Sequence, residues 1–339
     1  MKISVNVLLV VWIGLTLLFA EGEQQFAELG DFELENGQII KDCRIGYRIL
    51  GKMNPDKSNI LLYPTWFGGS SEHVSGLVGP GKFVDNSNLC VIIVDALGNG
   101  VSSSPSNSKK QRDRKFPEFT IYDMVQSQYE LLTVHLDIHH LYGIIGGSMG
   151  SFQVFEWLVL YPDFVEKALP YVCSPALSSY DLLKLQSMLE TIGASRKAGC
   201  SEREIQRLAN ITTELFARTP EYVVEHHHRA EFEAYLAGFD REPSVQFTSW
   251  NKTSQIRAMQ HHNIFRHFGG SEEAAAQAIT AELLIIVSAT DLTVNPIPAQ
   301  KFAKIMACEI IVLKNNCGHL AIGCEMERCS RIVGDFFKH

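Results

Sequence analysis

Apolar positions along this chain follow two rhythms. The first is a set of short runs with little polar interruption: "NILLYP" (59–64), "LCVIIVD" (89–95), "LYGIIG" (141–146), "KALPYVC" (167–173), "ELLIIVS" (282–288) and "EIIVLK" (309–314). They have the length of strands and are apolar on both faces, which predicts a parallel sheet covered by helices. Ahead of them, "DFELENGQIIKDCRIGYRIL" (31–50) makes two extended runs around Asn36-Gly37, a hairpin signal. The second rhythm is helical. In "TIYDMVQSQYELLTVHL" (120–136), Ile121, Val125, Tyr129 and Leu132 share one face, and Thr120 and Asp123 stand in capping-box positions. "SFQVFEWLVLYPD" (151–163) predicts a second helix, closed by Pro162, and "CSRIVGDFFK" a third. Strands alternating with helices mean an α/β sheet.

From about 175 to 278 the strand-like runs stop, and segments such as "SYDLLKLQSMLETIGA" and "SEREIQRLANITTELFA" take over. The expectation is one α/β domain over 21–339, interrupted by a mostly helical insertion. No internal repeat occurs, and the low-complexity stretch is "VSSSPSNS" (101–108).

Composition narrows the function classes. With 46% hydrophobic residues and a net charge of −8, the chain is globular and carries no basic stripe, so no nucleic-acid partner is expected. "KKQRDRK" (109–115) reads as a solvated loop. At the N-terminus, Lys2 and the apolar "VLLVVWIGLTLLFA" (7–20) have the order of a signal peptide. Export with removal of residues 1–20 is expected, the alternative being an uncleaved anchor; no other segment is long enough to cross a bilayer.

Of the eight cysteines, Cys90 and Cys173 fall in predicted strands. Cys308, Cys317, Cys324 and Cys329 cluster late without a CxxC pair, so a disulfide among them is left open and zinc is not expected. The histidines of "EHHHRA" (225–230) and "QHHN" (260–263) lack completing ligands, and "DALGNG" (95–100) is not a dinucleotide loop. No metal or redox cofactor is expected. Asn210 and Asn251 head glycosylation sequons.

The chemistry centres on Gly146-Gly147-Ser148-Met149-Gly150, a G-x-S-x-G pattern between a predicted strand and a predicted helix. Such a turn lifts a serine above the sheet edge, and only small neighbours fit beside it. A serine hydroxyl needs a base, and the base needs an orienting acid. Asp291 follows the strand at 282–288, and His319 follows the one at 309–314. Both fall at carboxyl ends of strands, in the chain order serine, acid, histidine. An oxyanion hole needs two backbone donors. The N–H of Met149 is one, and the loop after the first strand supplies the other, assigned to Trp66 with Phe67 as the near alternative.

The blocks "DALGNGVSSSPSN", "FPEFTIYDMVQSQYELL", "GGSMGSFQVFEWLVLYPD" and "CGHLA", in this order, resemble the homoserine O-acetyltransferase family of α/β-hydrolase-fold enzymes. The resemblance runs from about residue 30 to the end and reaches into the insertion, the family's helical cap. It implies Ser148 as nucleophile, Asp291 as acid, His319 as base and Thr65-Trp66-Phe67 as oxyanion loop. It also implies an acyl donor, acetyl-CoA in that family, handled as substrate, and a homodimer. Homoserine-specific members carry an aspartate directly after the catalytic histidine; Leu320 stands there in this chain. The expected function is acyl transfer through acyl-Ser148 to a small hydroxyl acceptor. The alternatives are a secreted ester hydrolase using water, and a non-catalytic binding protein on the same fold.

Overall fold

The strand-length runs pair side by side. In the computed structural model, which describes residues 22–338, eight strands form one sheet in the order β1-β2-β4-β3-β5-β6-β7-β8. They are β1 (Gln25–Glu33), β2 (Ile39–Leu50), β3 (Ile60–Pro64), β4 (Cys90–Val94), β5 (Leu141–Gly147), β6 (Val165–Tyr171), β7 (Glu282–Ser288) and β8 (Glu309–Leu313). The expected export segment, 1–20, lies outside the described residues. The β1–β2 and β2–β4 pairs are antiparallel, and every pair from β4 onward is parallel. Every residue of β3, β4 and β5 is buried, which is why those runs have no polar face. The hairpin closes at Leu34–Gln38, with Gly37 at φ 77.

Helices cover both faces. On one lie α2 (Ile121–Glu130), α3 (Met149–Leu160) and α10 (Pro296–Met306). On the other lie α1 (Ser71–Ser75) and α12 (Met326–Phe336), with the short α11 (Ala321–Cys324) between α10 and α12 in the chain. The Thr120 capping box forms, with the Thr120 N–H donating to Asp123 Oδ2 at 2.8 Å. The helix predicted to 136 changes at Leu131 into a wider turn ending at His135. Helix α3 is buried from Met149 to Val159, Phe155 and Trp157 included, because it lies between the sheet and a second layer.

Between β6 and β7 the chain forms α4 (Ser179–Lys197), α5 (Glu202–Ala217), α6 (Pro220–His226), α7 (Phe232–Ala237), α8 (Ser249–Gln260) and α9 (Glu272–Ala278). In α4 the inward stripe is Asp181, Lys184, Leu185, Met188, Ile192 and Ser195, whereas Leu183 is 70% exposed. Two ionisable side chains therefore occupy positions that an apolar pattern would assign to leucines. The serine tract 101–108 is likewise no loose loop. Ser102, Ser103 and Ser104 are buried, and Ser102 Oγ donates to Asp95 O at 2.6 Å. Of the two sequons, Asn251 is fully buried and its amide donates to Ser106 Oγ and Gln246 O, which excludes a glycan in the folded chain.

His262, after α8, stacks on Phe152 and has its Nε2 2.9 Å from Ser174 O. A carbonyl only accepts, so Nε2 carries the proton and the buried Nδ1 has no partner among the described residues. Charging this ring would strand a proton, and burial lowers its pKa from 6.5 to about 4, against the pull of Glu156. The folded value lies below the unfolded one, so this stability is complete above pH 6.5 and lost as pH falls through about 4. Urea titrations should show a loss of about 2 kcal/mol from this group between pH 7 and pH 5. In His262→Phe, which retains the stack, that part of the pH dependence should vanish; an unchanged profile would assign it to other groups.

Candidate active site

Strand β5 ends at Gly147 and α3 begins at Met149, leaving Ser148 alone to make the turn at φ 54, ψ −125. This is a sparsely populated conformation for a side-chain-bearing residue, held because its surroundings over-determine it. The Ser148 N–H donates to Tyr171 O at 3.1 Å, and Ser148 O accepts from Ser151 N at 2.8 Å. The small neighbours are sterically required. A Cβ on Gly147 would lie 2.1 Å from the Tyr171 ring, and one on Gly150 would lie 2.7 Å from Pro64 O. Tyr171 is fixed in turn by a 2.6 Å hydroxyl contact with Tyr63, both buried.

The parallel order β5-β6-β7-β8 brings the carboxyl ends of β5, β7 and β8 to one edge, and with them Ser148, Asp291 and His319. His319 Nε2 is 2.9 Å from Ser148 Oγ, and His319 Nδ1 is 2.7 Å from Asp291 Oδ2. Asp291 Oδ1 accepts from the N–H groups of Thr293 at 2.7 Å and Val294 at 2.9 Å, so one oxygen is held and the other faces the imidazole. The Asp291 side chain is 1% exposed, and that of His319 is 12%.

The helices after β6 grip both loops. Lys184 Nζ donates to Thr293 O, Asp181 Oδ1 accepts from Asn295 N at 2.9 Å, and Thr293 Oγ1 donates to Phe216 O at 2.8 Å. Thr219 Oγ1 reaches Asn316 O at 2.5 Å, three residues before His319. Lys184 is buried, and desolvation pulls its pKa down to about 8 despite the nearby carboxylates of Asp181 and Asp291. A disulfide joins Cys317 to Cys324 and brackets His319. Cys308 and Cys329, the other two of the late cluster, remain thiols.

Trp66 and Phe67 follow β3 and border the same space as Ser148 and His319. Met149 is the first residue of α3, where a helix N–H has no partner within the helix. The loop carrying Trp66 is anchored by a residue the sequence left without a role. Asp95 is fully buried, and its carboxylate accepts from Ser71 N at 2.6 Å, Ser71 Oγ at 2.7 Å and Asn99 Nδ2 at 2.9 Å. Burial nevertheless raises the pKa of this carboxyl. Asn99 Nδ2 also holds Gly69 O at 3.0 Å. "DALGNG" thus serves as the brace beneath this loop, a role that needs the fold to be seen.

Above Ser148 lies a cavity of about 670 Å³. Its wall is mainly apolar, including Phe83, Phe152, Met188, Phe216, Met259 and Leu320. Of the charged groups on it, Asp181 is held by Ser178 and Asn295, Lys184 by Thr293 and His319 by Asp291, and the Arg218 guanidinium lies over the Tyr222 ring at 4.1 Å. Among the described residues, no three His, Cys, Asp or Glu side chains converge on a metal-holding position. In the histidine run at the end of α6, His226 Nδ1 lies 2.8 Å from Tyr222 O and His227 stacks on Tyr235.

A family profile described as the alpha/beta hydrolase fold matches residues 60–323. The chain is 30% identical to an ethyl acetate hydrolase of Pseudomonas veronii over 78% of its length and 80% of that protein's. It is 26% identical to a homoserine O-acetyltransferase of Chlorobium chlorochromatii, over 90% of this chain and 92% of the relative. Among solved structures, the acetyl esterase MekB superposes with a TM-score of 0.86 at 27% identity, over 94% of this chain and 97% of that one.

Proposed function

The chain belongs to the α/β-hydrolase-fold family, as a homoserine O-acetyltransferase-like enzyme, and from that premise we propose that it is a carboxylic-ester hydrolase acting through acyl-Ser148. Ser148 Oγ attacks the ester carbonyl while His319 Nε2 takes its proton. The N–H groups of Met149 and Trp66 stabilise the tetrahedral oxyanion. His319 then protonates the leaving alcohol, activates water and returns its proton to Ser148 as the acid departs. Asp291 keeps the imidazole in the correct tautomer throughout.

Resemblance in sequence points first to transfer to a small hydroxyl acceptor. The observation that moves the proposal to water is the cavity wall. Homoserine presents an ammonium, and the carboxylate on the wall that could meet it, Asp181, is already held by Ser178 and Asn295, with apolar Leu320 beside the base. Burying an unpaired charge there would cost several kcal/mol, whereas an ester with an apolar alcohol meets matching surface. The kinship to an ethyl acetate hydrolase supports the same choice. Export remains part of the proposal and is supported by the Cys317–Cys324 disulfide, a bond that persists where thiols are not kept reduced.

The test offers purified enzyme p-nitrophenyl esters of increasing acyl length and, separately, acetyl-CoA with homoserine. Ester hydrolysis without O-acetylhomoserine is the expected result. Formation of O-acetylhomoserine faster than ester hydrolysis would return the assignment to the transferase.

A further inference from the structure

We propose that Gln153 is the positioning residue of the oxyanion hole, setting the distance between the Trp66 and Met149 N–H groups. This rests on the reading of Ser148 as nucleophile. Gln153 lies one helical turn into α3 and is fully buried. Its Nε2 donates to Thr65 O at 3.0 Å and to Met149 O at 3.1 Å, spanning 88 residues of chain in one case and four in the other. Its Oε1 accepts from Gln128 Nε2 at 2.6 Å, and Gln128 Oε1 accepts from Trp157 Nε1 at 2.8 Å.

Chemistry at both ends of this chain fixes its direction. An indole N–H can only donate, so the Gln128 oxygen must face Trp157 and its NH2 must face Gln153. Backbone carbonyls can only accept, so the Gln153 NH2 must face Thr65 and Met149. Neither amide can flip without leaving buried donors facing donors, a cost the core does not tolerate.

What makes this more than a core cross-link is the identity of the peptides it grips. Thr65 C=O and Trp66 N–H belong to one planar trans peptide and point in opposite directions. Holding that carbonyl toward Gln153 therefore directs the Trp66 N–H away from the core, on the side where Trp66 borders the cavity. The second bond holds the first turn of α3, whose opening N–H is that of Met149. One side chain thus references both proposed donors to a common point, and oxyanion stabilisation depends on such preorganisation to within a fraction of an ångström.

Gln153→Met keeps the length and apolar volume of the side chain and removes both donors. Its kcat for p-nitrophenyl acetate should fall roughly 10- to 100-fold with KM nearly unchanged, a partial form of losing one oxyanion donor. Affinity for a trifluoromethyl ketone, which adds Ser148 to form an oxyanion, should fall by the same factor. Affinity for the corresponding trifluoromethyl carbinol, which cannot react, should hold. Unchanged kcat and ketone affinity, with only a lowered unfolding midpoint, would overturn the proposal and leave Gln153 a core cross-link. Should that variant not fold, Trp157→Phe frees Gln128 one bond further out. A several-fold selective loss of ketone affinity supports the proposal there, and its absence overturns it. Fluorophosphonate labelling of Ser148 separates the two readings: a Gln153→Met enzyme that labels slowly still has its nucleophile, whereas a wild type that never labels would mean the underlying assignment had failed.

Discussion

Ser148→Ala should lower kcat for ester hydrolysis by about 10⁶-fold while leaving substrate binding and fold intact. The methyl group fits wherever the hydroxymethyl fits, and the cavity wall does not change. A residual rate roughly 10³–10⁴ above the uncatalysed one should survive, supplied by the oxyanion donors and by binding. Fluorophosphonate labelling should disappear, and labelling that persisted unchanged would place the nucleophile elsewhere. The backbone adds a second signature. Ser148 sits at φ 54, ψ −125, a conformation costing roughly 1–3 kcal/mol in a residue with a Cβ. Alanine has the same Cβ and relieves none of this; glycine relieves most of it. Ser148→Gly should therefore be as inactive as Ser148→Ala yet unfold at a higher temperature, as expected where strain is retained for chemistry.

The sheet is legible in the sequence because its central strands are buried on both faces. "LCVIIV" at 89–94 and "LLIIV" at 283–287 have few alternatives as uninterrupted apolar runs bounded by polar residues. The positions of Ser148, Asp291 and His319 are legible for a topological reason: in a parallel sheet, loops after successive strands share one edge. What stays hidden depends on partners distant in sequence. Asp181 and Lys184 occupy the inner face of α4 because Asn295 and Thr293 wait there, and no periodicity of hydrophobicity can report polar partners 114 and 109 residues away. Asp95 reads as a loop aspartate until Ser71 and Asn99 are seen around it. The Cys317–Cys324 pairing is hidden for the same reason, since four cysteines at these spacings permit several pairings and only the path of the loop selects one.

Asp291→Asn should retain the fold and lose about 10⁴-fold in kcat, and the hydrogen bonds show how. Asp291 Oδ1 accepts from the N–H groups of Thr293 and Val294. In the variant that position still requires an acceptor, so the amide oxygen takes it and the NH2 turns to His319 Nδ1. An NH2 donates, so Nδ1 must become the acceptor and the ring proton moves to Nε2. Nε2 is the atom 2.9 Å from Ser148 Oγ, and once protonated it cannot accept the serine proton. The variant thus keeps all three side chains in place and holds the base in the wrong tautomer, the origin of losses near this magnitude in such triads. KM should change little. Activity should recover partly as pH rises, because hydroxide can then remove the serine proton without the imidazole. Asp291→Ala removes the NH2 that enforces the wrong tautomer but also strands the Thr293 and Val294 N–H groups, and should be both less stable and less active than wild type. A kcat for Asp291→Asn within tenfold of wild type would mean that another group orients His319.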